Sequence, residues 1–130
     1  MSNNLKEELI KFRLVRAEES FSIAIHAASQ KYWNSVASDL YYTCFYLISA
    51  LFAKNDIKTS THSGVKTVFG SEFIKKEKVD AKWGKLLNDL FEKRQLGDYG
   101  DFVFLSEEEI YPLIQEVEEF KNIIKKMIQV

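Results

Sequence analysis

The stretch over residues 31–54 is apolar around most of its circumference when read at helical spacing. Trp33, Ala37, Leu40, Cys44, Leu47 and Leu51 make one stripe, and Tyr41, Phe45, Ile48 and Phe52 fill the stripe beside it. A helix of this kind belongs in the middle of a bundle or at a subunit interface, because little of its surface suits water. A membrane span is the competing reading. The strongest run, residues 40–53, is 14 residues long and is bounded by Asp39 and Lys54. A bilayer needs about 20, so the run predicts a buried core helix.

Three more long helical patterns and one short one supply the cover. Over about residues 4–29, Ile10, Leu14, Ala17, Phe21, Ala24 and Ala28 recur at steps of four and three, with Glu7, Glu8, Glu18 and Glu19 on other faces. Residues 55–61 form a polar connection. Ser60 or Thr61 is placed to cap a short helix carrying Val65, Val68 and Phe69, with Gly70 as its stop. Asp80 reads as the N-cap of a helix with a Trp83, Leu87 and Leu90 seam, flanked by Leu86 and Phe91 and ending near Gly97 and Gly100. The last helix opens on a capping box, Ser106 with Glu109, and Glu107 and Glu108 suit the positive end of its dipole. Pro112 allows a kink or a later start. Ile110, Leu113, Val117, Phe120, Ile124 and Met127 carry its stripe. Only residues 102–105 look β-like, too few to build a sheet. The reading is an all-α single domain over residues 1–130, an antiparallel four-helix up-and-down bundle with an additional short helix.

Composition narrows the function classes. One proline and five glycines suit long helices. A net charge of −1 argues against a broad basic surface, so any nucleic-acid contact has to be a local patch. The single cysteine, Cys44, excludes an internal disulfide and reads as a small buried hydrophobe. Two histidines are too few for a typical histidine metal site, so neither a metal nor another cofactor is expected. Residues 1–10 carry Lys6, Glu7 and Glu8 and no apolar core, which predicts no signal peptide and a cytoplasmic protein.

Chemistry concentrates in residues 92–101. Arg94 continues the steps of Trp83, Leu87 and Leu90, so a permanent cation lies on or beside an apolar seam and needs a partner. Asp98, four residues on, would face it. One reading is an ion pair that anchors the helix end. The other is a guanidinium facing a groove, whose fork of donors matches two phosphate oxygens. Tyr41 and Tyr42 read first as core packing, and His62 as a capping or turn residue. Tyr99, Phe102 and Phe104 form an aromatic cluster that would either cover the bundle's end or contact a second subunit.

These segments together resemble a known family. Residues 16–20 (RAEES) and 39–45 (DLYYTCF) resemble the first two helices of HEPN proteins. Residues 58–65 (KTSTHSGV) and 69–73 (FGSEF) resemble the short third helix of one subgroup, and residues 94–99 (RQLGDY) match its arginine-to-Asp-Tyr signature. The resemblance implies a bundle that dimerises with the arginine near the dimer cleft. It also implies a minimal nucleotidyltransferase as partner, the two acting as toxin and antitoxin, with a nucleotide or RNA, and not DNA, as the phosphate ligand. It makes Arg94, Tyr99, Tyr42 and His62 the candidate phosphate-binding residues and Arg94, Asp98 and Tyr99 the candidate catalytic ones. Many members are metal-independent ribonucleases whose arginine is followed, after four to six residues, by a histidine. Here those positions hold Tyr99, Gly100 and Asp101. Tyrosine is a poor base at neutral pH. Some partner transferases add AMP to a motif tyrosine, for which Tyr99 is the nearest candidate.

Overall fold

The structure, a computed structural model, describes residues 3–59 and 61–129. Among the described residues five helices follow in order: α1 (Asn3–Ser29), α2 (Trp33–Lys54), α3 (His62–Phe69), α4 (Ala81–Tyr99) and α5 (Glu107–Ile128). A π-helical turn (Gly70–Ile74) runs on from α3. No strand occurs among the described residues, and residues 102–105 contain no helix or strand.

α2 is the hub. It packs against α1, α4 and α5, and α3 also touches it. Ala37, Leu40, Cys44, Leu47 and Leu51 of the first stripe are buried, as are Tyr41, Ile48 and Phe52 of the second. Each large aliphatic or aromatic side chain buried this way contributes about 1.5–3 kcal/mol. By length and composition α2 would also pass as a membrane span, but 72% of that window lies inside the protein. Cys44 is wholly enclosed, and burial pushes its thiol well above the ordinary range.

Polar contacts fix the directions. The Arg13 guanidinium donates to the Ser49 carbonyl at 2.7 Å and Arg16 donates to the Tyr46 hydroxyl at 3.2 Å. Lys6 pairs with Asp56 at 3.1 Å. From Lys6 through Arg13 to Arg16 the partners step backwards, from Asp56 just past α2 to Ser49 and Tyr46 within it, so the two helices are antiparallel. Asn34 and Ser38 of early α2 meet Gly97 and Asp98 of late α4, with the same result. Lys93–Glu109 at 3.7 Å and Trp83–Phe120 at 5.3 Å between centroids align α4 antiparallel to α5. Buried Lys121 of α5 reaches Glu18 of α1 at 3.3 Å and Glu118 at 3.2 Å. The result is the expected up-and-down bundle.

The caps fall where the sequence puts them. The Thr61 hydroxyl accepts from the Gly64 N–H, Asp80 accepts from Lys82, and Ser106 and Glu109 form the reciprocal box. Ser60, the other cap considered for α3, lies outside the described residues. Two boundaries differ. α2 starts at Trp33, because Lys31 has φ 61° and turns the chain out of α1. Gly70 is not a stop: its φ of −60° is helical, and a wide turn follows in which Lys75 N–H donates to Gly70 O. That turn places Phe73 in stacked contact with Phe69 (5.8 Å) and Phe52 (6.0 Å), so apolar burial overrides the glycine signal. α5 starts at Glu107 and runs past Pro112. Pro112 has no N–H to donate to the Glu108 carbonyl, and both residues are exposed.

Asn34 joins the start of α2 to the segment after α4. Its amide donates to Gly97 O (3.3 Å) and Val103 O (2.9 Å) and accepts from Leu105 N–H (2.8 Å). A Cβ at Gly97 would lie 3.4 Å from Asn34 Cβ and 3.2 Å from Leu105 Cδ1, so the close approach favours glycine. Asn34→Ala leaves three partly buried backbone groups without a partner. It should cost about 1–3 kcal/mol, read as a lower urea midpoint with unchanged slope.

Candidate functional site

Late α4 runs antiparallel to early α2, so residues 94–99 face residues 38–42. This sets Arg94 over an aromatic floor. Its guanidinium carbon lies 5.0 Å from the Tyr42 ring centroid, 5.4 Å from Tyr41 and 5.8 Å from Tyr99. The residue is only 8% exposed. A cation desolvated over tyrosine faces gains about 0.5–2 kcal/mol per good contact, which offsets part of the burial cost.

Asp98 faces Arg94 as the helical spacing predicts, but loosely. The Nε–Oδ2 distance is 3.7 Å, an electrostatic contact too long for a hydrogen bond. Nε is in fact buried without any hydrogen-bond partner. The terminal nitrogen Nη2 reaches the Tyr99 hydroxyl only at 3.5 Å. The ion pair therefore exists but does not saturate the guanidinium. Asp98 is shared, since its carboxylate also accepts from the Ser38 hydroxyl at 3.1 Å.

His62 arrives from a different part of the chain. It is the first residue of α3, which folds over α2 and α4. Its Nδ1 is 2.8 Å from the Tyr41 hydroxyl, and its ring packs on Phe45 (4.7 Å), Tyr41 (5.6 Å) and Tyr42 (5.9 Å). Arg94 and His62 thus share the same two tyrosines. Burial first, and then the Arg94 charge, hold the His62 imidazole below its ordinary pKa. It is neutral at physiological pH, with Nδ1 engaged and Nε2 directed away from Tyr41. Burial pushes the Tyr41 hydroxyl up to about 12, with Arg94 pulling only partly the other way. Tyr41 is therefore a fixed neutral partner for the histidine.

Of the sequence candidates, Arg94, Asp98, Tyr99, Tyr42 and His62 all belong to one cluster. Phe102 and Phe104 do not cover the bundle's end: they are 101% and 91% exposed, and Phe102 has φ 60°, an uncommon conformation for a bulky residue. Sequence reasoning assigned Tyr41 to the core alone and passed over Asp39 and Ser38. The available signal was their position near the start of α2, opposite the end of the helix that carries Arg94. Burial first, and then the neighbouring Asp98 charge, raise the Asp39 carboxyl to about 6. Ser38, Asp39 and Asp98 line a cavity of about 580 Å³ on one flank of the arginine. His62 and Phe91 line a second on the other flank.

Two outcomes follow from these groups. An acid whose folded pKa is raised stabilises the fold fully below its ordinary 3.8, and that contribution is lost as pH rises through about 6. Asp39→Asn should therefore raise stability at pH 7–8 by about 1 kcal/mol, screening by water reducing the full linkage value, and the gain should vanish near pH 4 in urea titrations. Arg94→Gln should move the His62 titration upward, seen in the NMR shift of its ring protons, because one of its two depressing causes is removed.

Comparison with known proteins agrees with this architecture. A family model described as the HEPN domain matches residues 10–127. A UPF0332 protein of Thermotoga maritima is 36% identical over 126 residues, spanning 97% of this chain and 96% of its own length. A protein of Methanocaldococcus jannaschii, named as a candidate toxin, is 30% identical over 98% of this chain and 86% of its own length. A second candidate toxin of that organism is 26% identical over 99% and 95%. With the bundle, the short third helix and the match over residues 10–127 all in hand, the chain belongs to the HEPN domain family.

Proposed function

We propose that this chain is the HEPN member of a two-component, toxin–antitoxin-like module, and that it binds a nucleotide or RNA phosphate at Arg94. The observation that carries the reading is the buried Nε of Arg94, which has no hydrogen-bond partner although the guanidinium lies on three tyrosine rings. A ligand phosphate supplies what is missing, two oxygens matched to the donor fork. The relatives named as candidate toxins support the module. Arg94→Ala should weaken binding of a labelled short RNA or of ATP at least tenfold by fluorescence anisotropy, since one charge-assisted contact is worth roughly 1.5–3 kcal/mol. Equal affinities for variant and wild type would remove the reading.

The partner is a minimal nucleotidyltransferase, and the chain acts as a cytoplasmic homodimer. Tyr99 is 68% exposed with its hydroxyl beside Arg94, which suits a residue open to a partner's adenylyl transfer. The projecting Phe102 and Phe104 suit a contact with a second copy. Co-expression with a neighbouring nucleotidyltransferase should yield a complex on affinity capture. A chain that stays monomeric and ignores that protein would sink this part.

A second reading, a metal-independent ribonuclease, gains from the position of His62. The histidine absent after Arg94 in sequence has a candidate counterpart in His62 of α3, whose ring packs on the same two tyrosines as the guanidinium. Arg94 would stabilise charge on the phosphorane while His62, through Nε2, takes the proton of the attacking 2′-hydroxyl and returns it to the departing 5′-oxygen as the P–O5′ bond breaks, leaving a 2′,3′-cyclic phosphate. Expression should then arrest growth, with relief by either Arg94→Ala or His62→Ala. Intact cellular RNA in growing wild-type cultures would rule it out.

A further inference from the structure

Charge is distributed unevenly along the chain. Between Lys58 and Lys85 stand seven lysines and three acids, although the whole chain has a net charge of −1. This basic stretch builds α3, the π-helical turn and the start of α4. A cavity of about 580 Å³ opens in the same region, lined by His62, Lys66, Thr67, Ser71, Lys75 and Phe91 among others. Lys66 and Lys75 are exposed, and no acid holds either of them in an ion pair among the described residues. Neighbouring Lys76, by contrast, is paired with Glu72. Lys66 Nζ also sits 5.4 Å from the Phe91 ring centroid.

Two walls of this cavity belong to the arginine cluster as well. The rings of His62 and Phe91 lie 5.6 and 5.8 Å from Tyr41, which is itself beneath the Arg94 guanidinium. An extended ligand anchored at Arg94 can therefore pass along His62 and Phe91 into the lysine cavity. The opposite flank carries Asp39 and Asp98, which repel phosphate. The electrostatics thus give the path a direction.

We infer that the Lys66–Lys75 cavity takes a second backbone phosphate of a single-stranded RNA whose first phosphate lies at Arg94. The lysines neutralise the charge, the Thr67 hydroxyl can donate to a phosphate or sugar oxygen, and Phe91 offers a face for a base. A free nucleotide would occupy only one of these positions; a strand fills both. The inference rests on the phosphate-binding reading of Arg94.

The test is anisotropy of a labelled 12-nucleotide single-stranded RNA over a salt series. Three variants of the full chain are compared with wild type: Lys66→Gln with Lys75→Gln, Arg94→Ala, and Lys11→Gln with Lys126→Gln as a charge-matched control on α1 and α5. The cavity pair should weaken binding roughly tenfold at 0.1 M salt and flatten the log–log salt slope by about 0.7, the value for one single-strand phosphate contact. The control pair should change neither, and both lysine pairs should leave the melting temperature unchanged. Loss in Arg94→Ala with none in the cavity pair overturns the track and leaves the arginine reading standing. Loss in the cavity pair with none in Arg94→Ala overturns the arginine reading. Equal loss in the control pair, or no binding by the wild-type chain, overturns the track.

Discussion

Everything in this protein is arranged around a helix that water cannot be allowed to reach. α2 is apolar on most of its surface, and α1, α4 and α5 each bury part of it. Their own stripes are narrower. Once α2 is central and connections are short, antiparallel packing follows, and the start of α2 must meet the end of α4. The functional cluster is a by-product of that register. Tyr41 and Tyr42 are fixed because α2 is fixed, and Arg94 and His62 converge on them from helices that α2 holds in place.

The arginine is a local conflict in an otherwise consistent fold. A buried cation is expensive unless fully bonded. Here the attraction to Asp98 is long, the bond to Tyr99 is marginal and Nε has no acceptor. The three ring faces compensate in part, since they attract positive charge without using up the N–H groups. The guanidinium is thereby held in position while its hydrogen-bonding capacity stays available. An arrangement optimised for stability alone would have closed the pair at hydrogen-bond distance.

How much of this could be read from the chain depends on the distance over which each signal acts. The helices were legible because their stripes and caps are local: Asp80, and Ser106 with Glu109, act within one turn. The Arg94–Asp98 contact was legible for the same reason, being one helical turn. Gly70 misled, since its conformational freedom is outweighed by the burial of Phe73 three residues later, a tertiary effect. The approach of His62 to Arg94 needs α3 to fold back across two helices, which no local pattern encodes. Asp39 was easy to pass over because an acid in the first half of a helix looks solvated until the bundle closes over it. Asn34 looked like an ordinary polar residue until its three partners, more than sixty positions away, came to it.

The enclosed thiol of Cys44 has an experimental consequence. It is the chain's lone sulfhydryl, it sits in the middle of the hub helix, and burial keeps it in the unreactive protonated form. Oxidants and alkylating reagents can meet it only when α2 is released from its neighbours. The rate at which such a reagent consumes the thiol is therefore a native reporter of how often the bundle opens, obtained without introducing any label.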